Sequence, residues 1–154
     1  MTHENPNAVL RRGGCQCGAI RYEISVPPTV IYACHCLECQ RQSGSAFGMA
    51  MVIPAEGFRL VEGEPKSLER TGESGRTMRC WFCFDCGTRL YHSPAKLGQN
   101  VNIKPGTLDD TAWLRPTVHV WTRSAQPWVQ IPTDAIRHDT QPEDRSWLLA
   151  PEHG

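Results

Sequence analysis

Seven of the eight cysteines fall into three tight groups: Cys15-Gln16-Cys17, Cys34-His35-Cys36-Leu37-Glu38-Cys39 and Cys83-Phe84-Asp85-Cys86-Gly87. Thiolates one to three residues apart converge readily on a single ion of zinc size, so this spacing constrains the fold more than any other feature. Two pairs and a triple supply seven sulfurs, enough for one closed four-sulfur site and one three-sulfur site with a vertex left over. A disulfide framework is the competing account. It needs a secretory route, and Met1 to Arg12 hold neither an apolar core nor a small-residue cleavage site, so the expected compartment is the reducing cytoplasm. Cysteines separated by one residue also form strained disulfides, whereas C-x-C and C-x-x-C chelate metals comfortably. Iron–sulfur ligation is a minor alternative, because four-cysteine sets hold clusters as well.

The rest of the chain predicts a small β domain. Its 154 residues suit one domain. Lys plus Arg and Asp plus Glu are equal at 16 each, which leaves no global field to draw nucleic acid or an anionic membrane. The longest apolar stretch, Ala46 to Pro54, is too short to span a bilayer. Ile20, Tyr22, Ile24 and Val26 alternate with polar residues, and Phe47, Met49, Met51 and Ile53 repeat the pattern, as half-buried strands do. Further strands are expected at Phe58 to Val61, Thr77 to Phe82, Arg89 to His92, Asn100 to Ile103 and Val118 to Thr122. Thr71-Gly72-Glu73-Ser74-Gly75 reads as a hairpin loop, and Glu38 to Gln42 as a short helix. Twelve prolines, thirteen glycines and no sustained helical period argue for an all-β fold with few helices. The expected division is an N-terminal tail (1–11), a zinc-binding domain (12–142) and a C-terminal tail (143–154). The tail is expected to dock by Trp147, Leu148 and Leu149.

Pairs remote in sequence usually close one structural site, because a metal that clips distant strands removes more chain entropy than one that clips neighbours. Cys15, Cys17, Cys83 and Cys86 fit that role, and Gly87 after the second pair permits the tight turn of a knuckle. The triple Cys34, Cys36 and Cys39 can chelate from one short loop and leave a tetrahedral vertex for water or a substrate thiol. A fourth protein ligand would close that vertex. Cys80 and His35 are the two candidates; Cys80 reads also as core, and His35 as pointing away from its neighbours.

The motifs Gly14-Cys15-Gln16-Cys17-Gly18, Cys34 through Gly44 and Phe82-Cys83-Phe84-Asp85-Cys86-Gly87 occur in that order. They are followed by His119-Val120-Trp121, Pro127-Trp128 and Ile131-Pro132. On these residues the chain resembles the glutathione-dependent formaldehyde-activating enzyme family, which also contains centromere protein V. The resemblance implies an all-β, Mss4-like fold of short antiparallel strands with two zinc ions per chain. It implies a structural zinc on Cys15, Cys17, Cys83 and Cys86, and a catalytic zinc on Cys34, Cys36 and Cys39. The implied activity is that of a carbon–sulfur lyase or synthase, adding a thiol such as glutathione to formaldehyde or another small aldehyde. The alternative is a non-catalytic zinc module for a protein partner, with Cys80 closing the second site. A small thiol and a small aldehyde are the expected partners, and the oligomeric state is left open. No residues stand out in sequence for the carboxylates of the tripeptide. Arg41 reads as an exposed helix residue or a carboxylate contact, and Ser43-Gly44-Ser45 as a helix cap or as donors to an alkoxide. Trp113, Trp121 and Trp128 read as core or surface closure, and His92, His119 and His138 as structural or exposed rather than acid–base groups.

Overall fold

The computed structural model describes residues 9–72, 75–94 and 99–144. In chain order the strands are β1 (Arg11–Gly14), β2 (Arg21–Ile24) and β3 (Val30–Cys34). Helix α1 (Leu37–Ser43) follows, then β4 (Gly48–Pro54), β5 (Phe58–Glu62), β6 (Lys66–Thr71) and β7 (Thr77–Phe82). The last four are β8 (Arg89–Pro94), β9 (Asn100–Ile103), β10 (Val118–Val120) and β11 (Ile136–Arg137). They form a three-stranded sheet, β1-β2-β5, and an eight-stranded sheet, β11-β10-β3-β4-β9-β8-β7-β6. The fold is all-β, as expected. β10 departs from the antiparallel rule: it pairs parallel with both β3 and β11. Among the described residues no helix is long and apolar enough to cross a membrane.

Strand alternation decides what each face does. On one face of the large sheet Ile31, Met51, Ile53, Tyr91, Val101 and Ile103 pack on Ile20, Tyr22 and Ile24 of the small sheet and its approach, forming the main core. Ring contacts Trp81–Tyr91, Tyr91–Phe58 and Phe58–Tyr22, with centroids 5.6, 4.6 and 5.5 Å apart, cross that layer. Tyr22 is fully buried, and its hydroxyl sits 2.7 Å from Thr107 Oγ1, which meets the need of a buried polar tip. Gly13 is required beside it: a Cβ there would lie 2.4 Å from the Tyr22 oxygen.

The opposite face carries the alternate residues: Tyr32 and Cys34 of β3, Gly48 and Ala50 of β4, Asn102 of β9, and His92 of β8. These line a cavity rather than the core. α1 covers part of it. Gly44, left-handed at φ 61°, caps the helix through its N–H to the Arg41 and Gln40 carbonyls, so the Ser43-Gly44-Ser45 run is a helix end.

The β6–β7 hairpin falls where Gly72 and Gly75 suggest, with Gly75 at φ 81° and Thr71 opposite Thr77; Glu73 and Ser74 lie outside the described residues. Trp147, Leu148 and Leu149 also lie outside them. Just before the expected tail, His138, Asp139 and Thr140 accept hydrogen bonds at their carbonyls from Thr122, Arg123 and Trp121.

Candidate metal centre and active site

The turn between β1 and β2 carries Cys15 and Cys17, and the turn between β7 and β8 carries Cys83 and Cys86. Their sulfurs all lie within 4.8 Å of one another. Cys15 to Cys17 is 3.6 Å and Cys17 to Cys83 is 3.8 Å, far longer than a disulfide. Four sulfurs at about 2.3 Å from a zinc ion stand about 3.8 Å apart along each tetrahedral edge, so this set fits the ion. Donors are aimed at the sulfurs as well. The Ile20 N–H donates to Cys15 Sγ at 3.3 Å. The Gln16 N–H donates to Thr88 Oγ1 at 3.1 Å, which leaves that hydroxyl free to donate to Cys86 Sγ at 3.2 Å. Hydrogen bonds from Thr88 lower the Cys86 thiol to about 6. Such donors orient and stabilise thiolate ligands.

Cys34, Cys36 and Cys39 form the second cluster, again with sulfurs within 4.8 Å. Cys34 ends β3, Cys36 is the N-cap of α1, and Cys39 lies in the first turn; the Cys39 N–H donates to Cys36 Sγ at 3.3 Å. The Cys34 and Cys39 thiols, helped by backbone amides, hold Cys36 down to about 2, while Cys34 is pushed up by the same pairing. One thiolate is therefore already favoured among the three before any cation is considered.

Neither candidate fourth ligand joins this cluster. His35 is fully buried and turns the other way: its Nε2 lies 2.9 Å from His119 Nδ1, and the two rings stack. Cys80 is fully buried on β7 and belongs to neither sulfur group. The closed-site reading thereby loses the fourth sulfur it requires among the described residues.

The three sulfurs open into a cavity of about 160 Å³. Arg70, Arg76 and Lys104 line it with Glu38, and Trp121 forms part of its wall. Arg70 is ion-paired with Glu38, which ties the β6–β7 hairpin to α1. Arg76 is exposed at the hairpin end. Lys104 follows β9, on the face of Asn102 and toward the small residues Gly48 and Ala50. It is half-buried, and desolvation of its ammonium lowers its pKa while the Cys39 and Cys80 thiols raise it. His92 is pushed down to about 2, first by burial and then by Lys104, Arg89 and Arg70. It stays neutral near pH 7 and accepts from Arg89 Nη1 at 3.2 Å. Trp121 holds a left-handed φ of 58°, rare for a bulky residue, which turns the chain sharply at the end of β10 beside Cys34 and Cys36.

The other singled-out residues fall outside the cavity. The Arg41 side chain is 78% exposed beside Glu38. Trp113 stacks under Arg11, 3.6 Å from ring to guanidinium, and Trp128 is exposed. Arg70, Arg76 and Lys104 escaped the sequence reading because nothing in their spacing links them; the strand parity of Asn102 and Lys104 was the one available signal.

Similar proteins agree with this frame. The family profile described as glutathione-dependent formaldehyde-activating enzyme matches residues 10–124. A Halomonas elongata protein provisionally named for that family is 26% identical over 129 residues, covering 80% of this chain and 82% of that one. A Sordaria macrospora protein named in the same way is 35% identical over 60 residues, 39% of this chain. The chain spans only 24% of that fungal relative's length. A solved Rhodobacter sphaeroides structure superposes with a TM-score of 0.52 at 20% identity, covering 66% of this chain and 91% of that one, and supports the fold alone. With the profile covering most of its length, the chain belongs to the glutathione-dependent formaldehyde-activating enzyme family.

Proposed function

We propose that the chain is a cytoplasmic, zinc-dependent carbon–sulfur lyase or synthase that joins an acidic thiol, such as glutathione, to formaldehyde or another small aldehyde. One observation carries this reading: a three-sulfur cluster with no fourth protein ligand among the described residues faces a cavity lined by cations. Cys34, Cys36 and Cys39 would hold the zinc of this site, and Cys15, Cys17, Cys83 and Cys86 a structural zinc. Bound there, the ion supplies Lewis acidity that keeps a thiol in its thiolate form at neutral pH.

The chain's own residues do the rest. Arg76, exposed at the mouth, meets a carboxylate of the thiol substrate, while Arg70 is held by Glu38 and fixes the hairpin. Trp121 forms part of the cavity wall beside the sulfurs. His92 is neutral and engaged by Arg89, which leaves it out of proton transfer.

Exchange of the glutathione–formaldehyde adduct, followed by NMR against the uncatalysed background, tests the reading. Acceleration by the wild-type chain is expected, and none would contradict it. Arg76→Ala is expected to raise the KM for glutathione roughly tenfold, since a charge-assisted hydrogen bond contributes about 1.5 kcal/mol or more. The KM for 2-mercaptoethanol, which has no carboxylate, should not change. An equal rise for both thiols would remove Arg76 from carboxylate recognition.

A further inference from the structure

The proposed reaction develops negative charge on the aldehyde oxygen, which a cation stabilises more than a neutral donor does, and the cavity is lined by three cations, Arg70, Arg76 and Lys104, and one imidazole, His92. Arg70 is occupied by Glu38. His92 accepts from Arg89 and is uncharged. Arg76 stands exposed at the mouth. Lys104 differs from all three: it lines the cavity directly after Ile103, whose partner across the ladder is Met51 of β4. The neighbouring β4 positions facing the cavity are Ala50 and Gly48, and Gly48 pairs in turn with Cys34. A Cβ added at Gly48 would already stand 3.3 Å from Cys39 Cβ. Lys104 therefore follows the ladder beside Ala50, and its ammonium is within electrostatic reach of the Cys39 and Cys34 sulfurs.

We propose that Lys104 is a catalytic residue that donates a hydrogen bond to the aldehyde oxygen and stabilises the alkoxide formed as the carbon–sulfur bond is made. This rests on the lyase or synthase reading above. In the forward direction the substrate thiol gives its proton to solvent, and its sulfur bonds to the carbonyl carbon. The carbonyl π pair moves to oxygen, and the alkoxide takes a proton from water. No redox partner is needed, and Lys104 remains an ammonium throughout. In reverse the hydroxyl loses its proton, the carbon–oxygen double bond re-forms and the carbon–sulfur bond breaks. A cation fixed beside the reacting atoms acts most strongly where charge develops, not on the neutral aldehyde.

The competing role for Lys104 is to balance the negative sulfur cluster, and the variants separate the two. The adduct exchange assay is run on the full chain with Lys104→Met and Lys104→Arg, alongside zinc content and calorimetric binding of glutathione. The expected result is a kcat lower by roughly 10²–10³-fold in Lys104→Met, as for loss of one oxyanion donor. Zinc content and glutathione affinity should stay within threefold of wild type by the same logic of transition-state-only stabilisation. Lys104→Arg should recover part of the rate. If Lys104→Met does not fold, Lys104→Gln is read in the same way. A wild-type kcat in Lys104→Met overturns the inference alone. So does a loss that follows zinc release or weakened thiol binding, or an arginine variant as slow as the methionine one. No acceleration by the wild-type chain overturns the functional reading and this inference together.

Discussion

Cys83→Ser is expected to release one equivalent of zinc and to lower the melting temperature by about 10–15 °C. The reason is topological. Cys15 and Cys17 sit in the hairpin turn of the small sheet, Cys83 and Cys86 in a turn of the large one, and Cys17 and Cys83 are 66 positions apart. A cross-link closing a loop of that length removes chain entropy equivalent to about 4 kcal/mol, and each kcal/mol moves the melting point of a domain this size by about 2–4 °C. Cys83 and Cys15 are themselves buried in the main core, so the sulfur set is also part of the packing between layers. Thermal melting and metal analysis of the purified variant check the expectation. A melting point within a few degrees of wild type would show that the layers hold without this clip.

Cys36→Ser is expected to reduce catalysis to the uncatalysed background and to release the other zinc equivalent, with melting lowered by no more than about 5 °C. Its three sulfurs lie within six consecutive positions, so their metal closes almost no loop. The serine hydroxyl also replaces the sulfur as an N-cap acceptor for the Cys39 N–H. Helix α1 and the main core should therefore persist. Adduct exchange, zinc content and melting are measured on the same sample. Collapse as deep as that of Cys83→Ser would erase the difference between a structural and a catalytic cluster.

Much of this arrangement was legible in the sequence, for identifiable reasons. β2 and β9 alternate apolar and polar residues because each has one face on the core, β4 is apolar throughout because nearly all of it is buried, and β7 and β9 fall on the expected residues. β6, Lys-Ser-Leu-Glu-Arg-Thr, was not legible: as an edge strand it has no deeply buried face, and its pairing rests on the ladder and on cross-strand contacts such as Glu69–Arg79. β1 carries two arginines and two glycines and is placed by its partner β2, not by its own hydrophobicity. The parallel pairing of β10 with β3 joins segments more than 80 residues apart, which no local pattern encodes. The grouping of cysteines into a four and a three was suggested by spacing because thiols so close cannot avoid one another. Arg70, Arg76 and Lys104 come from β6, the β6–β7 loop and the end of β9. Their convergence depends on sheet order and register, which the sequence pattern leaves open. His35 shows the value of parity: set between two sulfurs in sequence, it turns to His119 and away from the cluster.

The central claim is that the Cys34, Cys36 and Cys39 cluster keeps one coordination position open to a thiol. The most direct test is the absorption spectrum of the cobalt-substituted full chain during titration with glutathione, since the spectrum reports the number of thiolates around the metal. The account predicts one four-sulfur and one three-sulfur site at the outset, with the second gaining a fourth sulfur as glutathione is added. Two four-sulfur sites at the start, unchanged by glutathione, would contradict it and show that a ligand from the protein itself closes the second site.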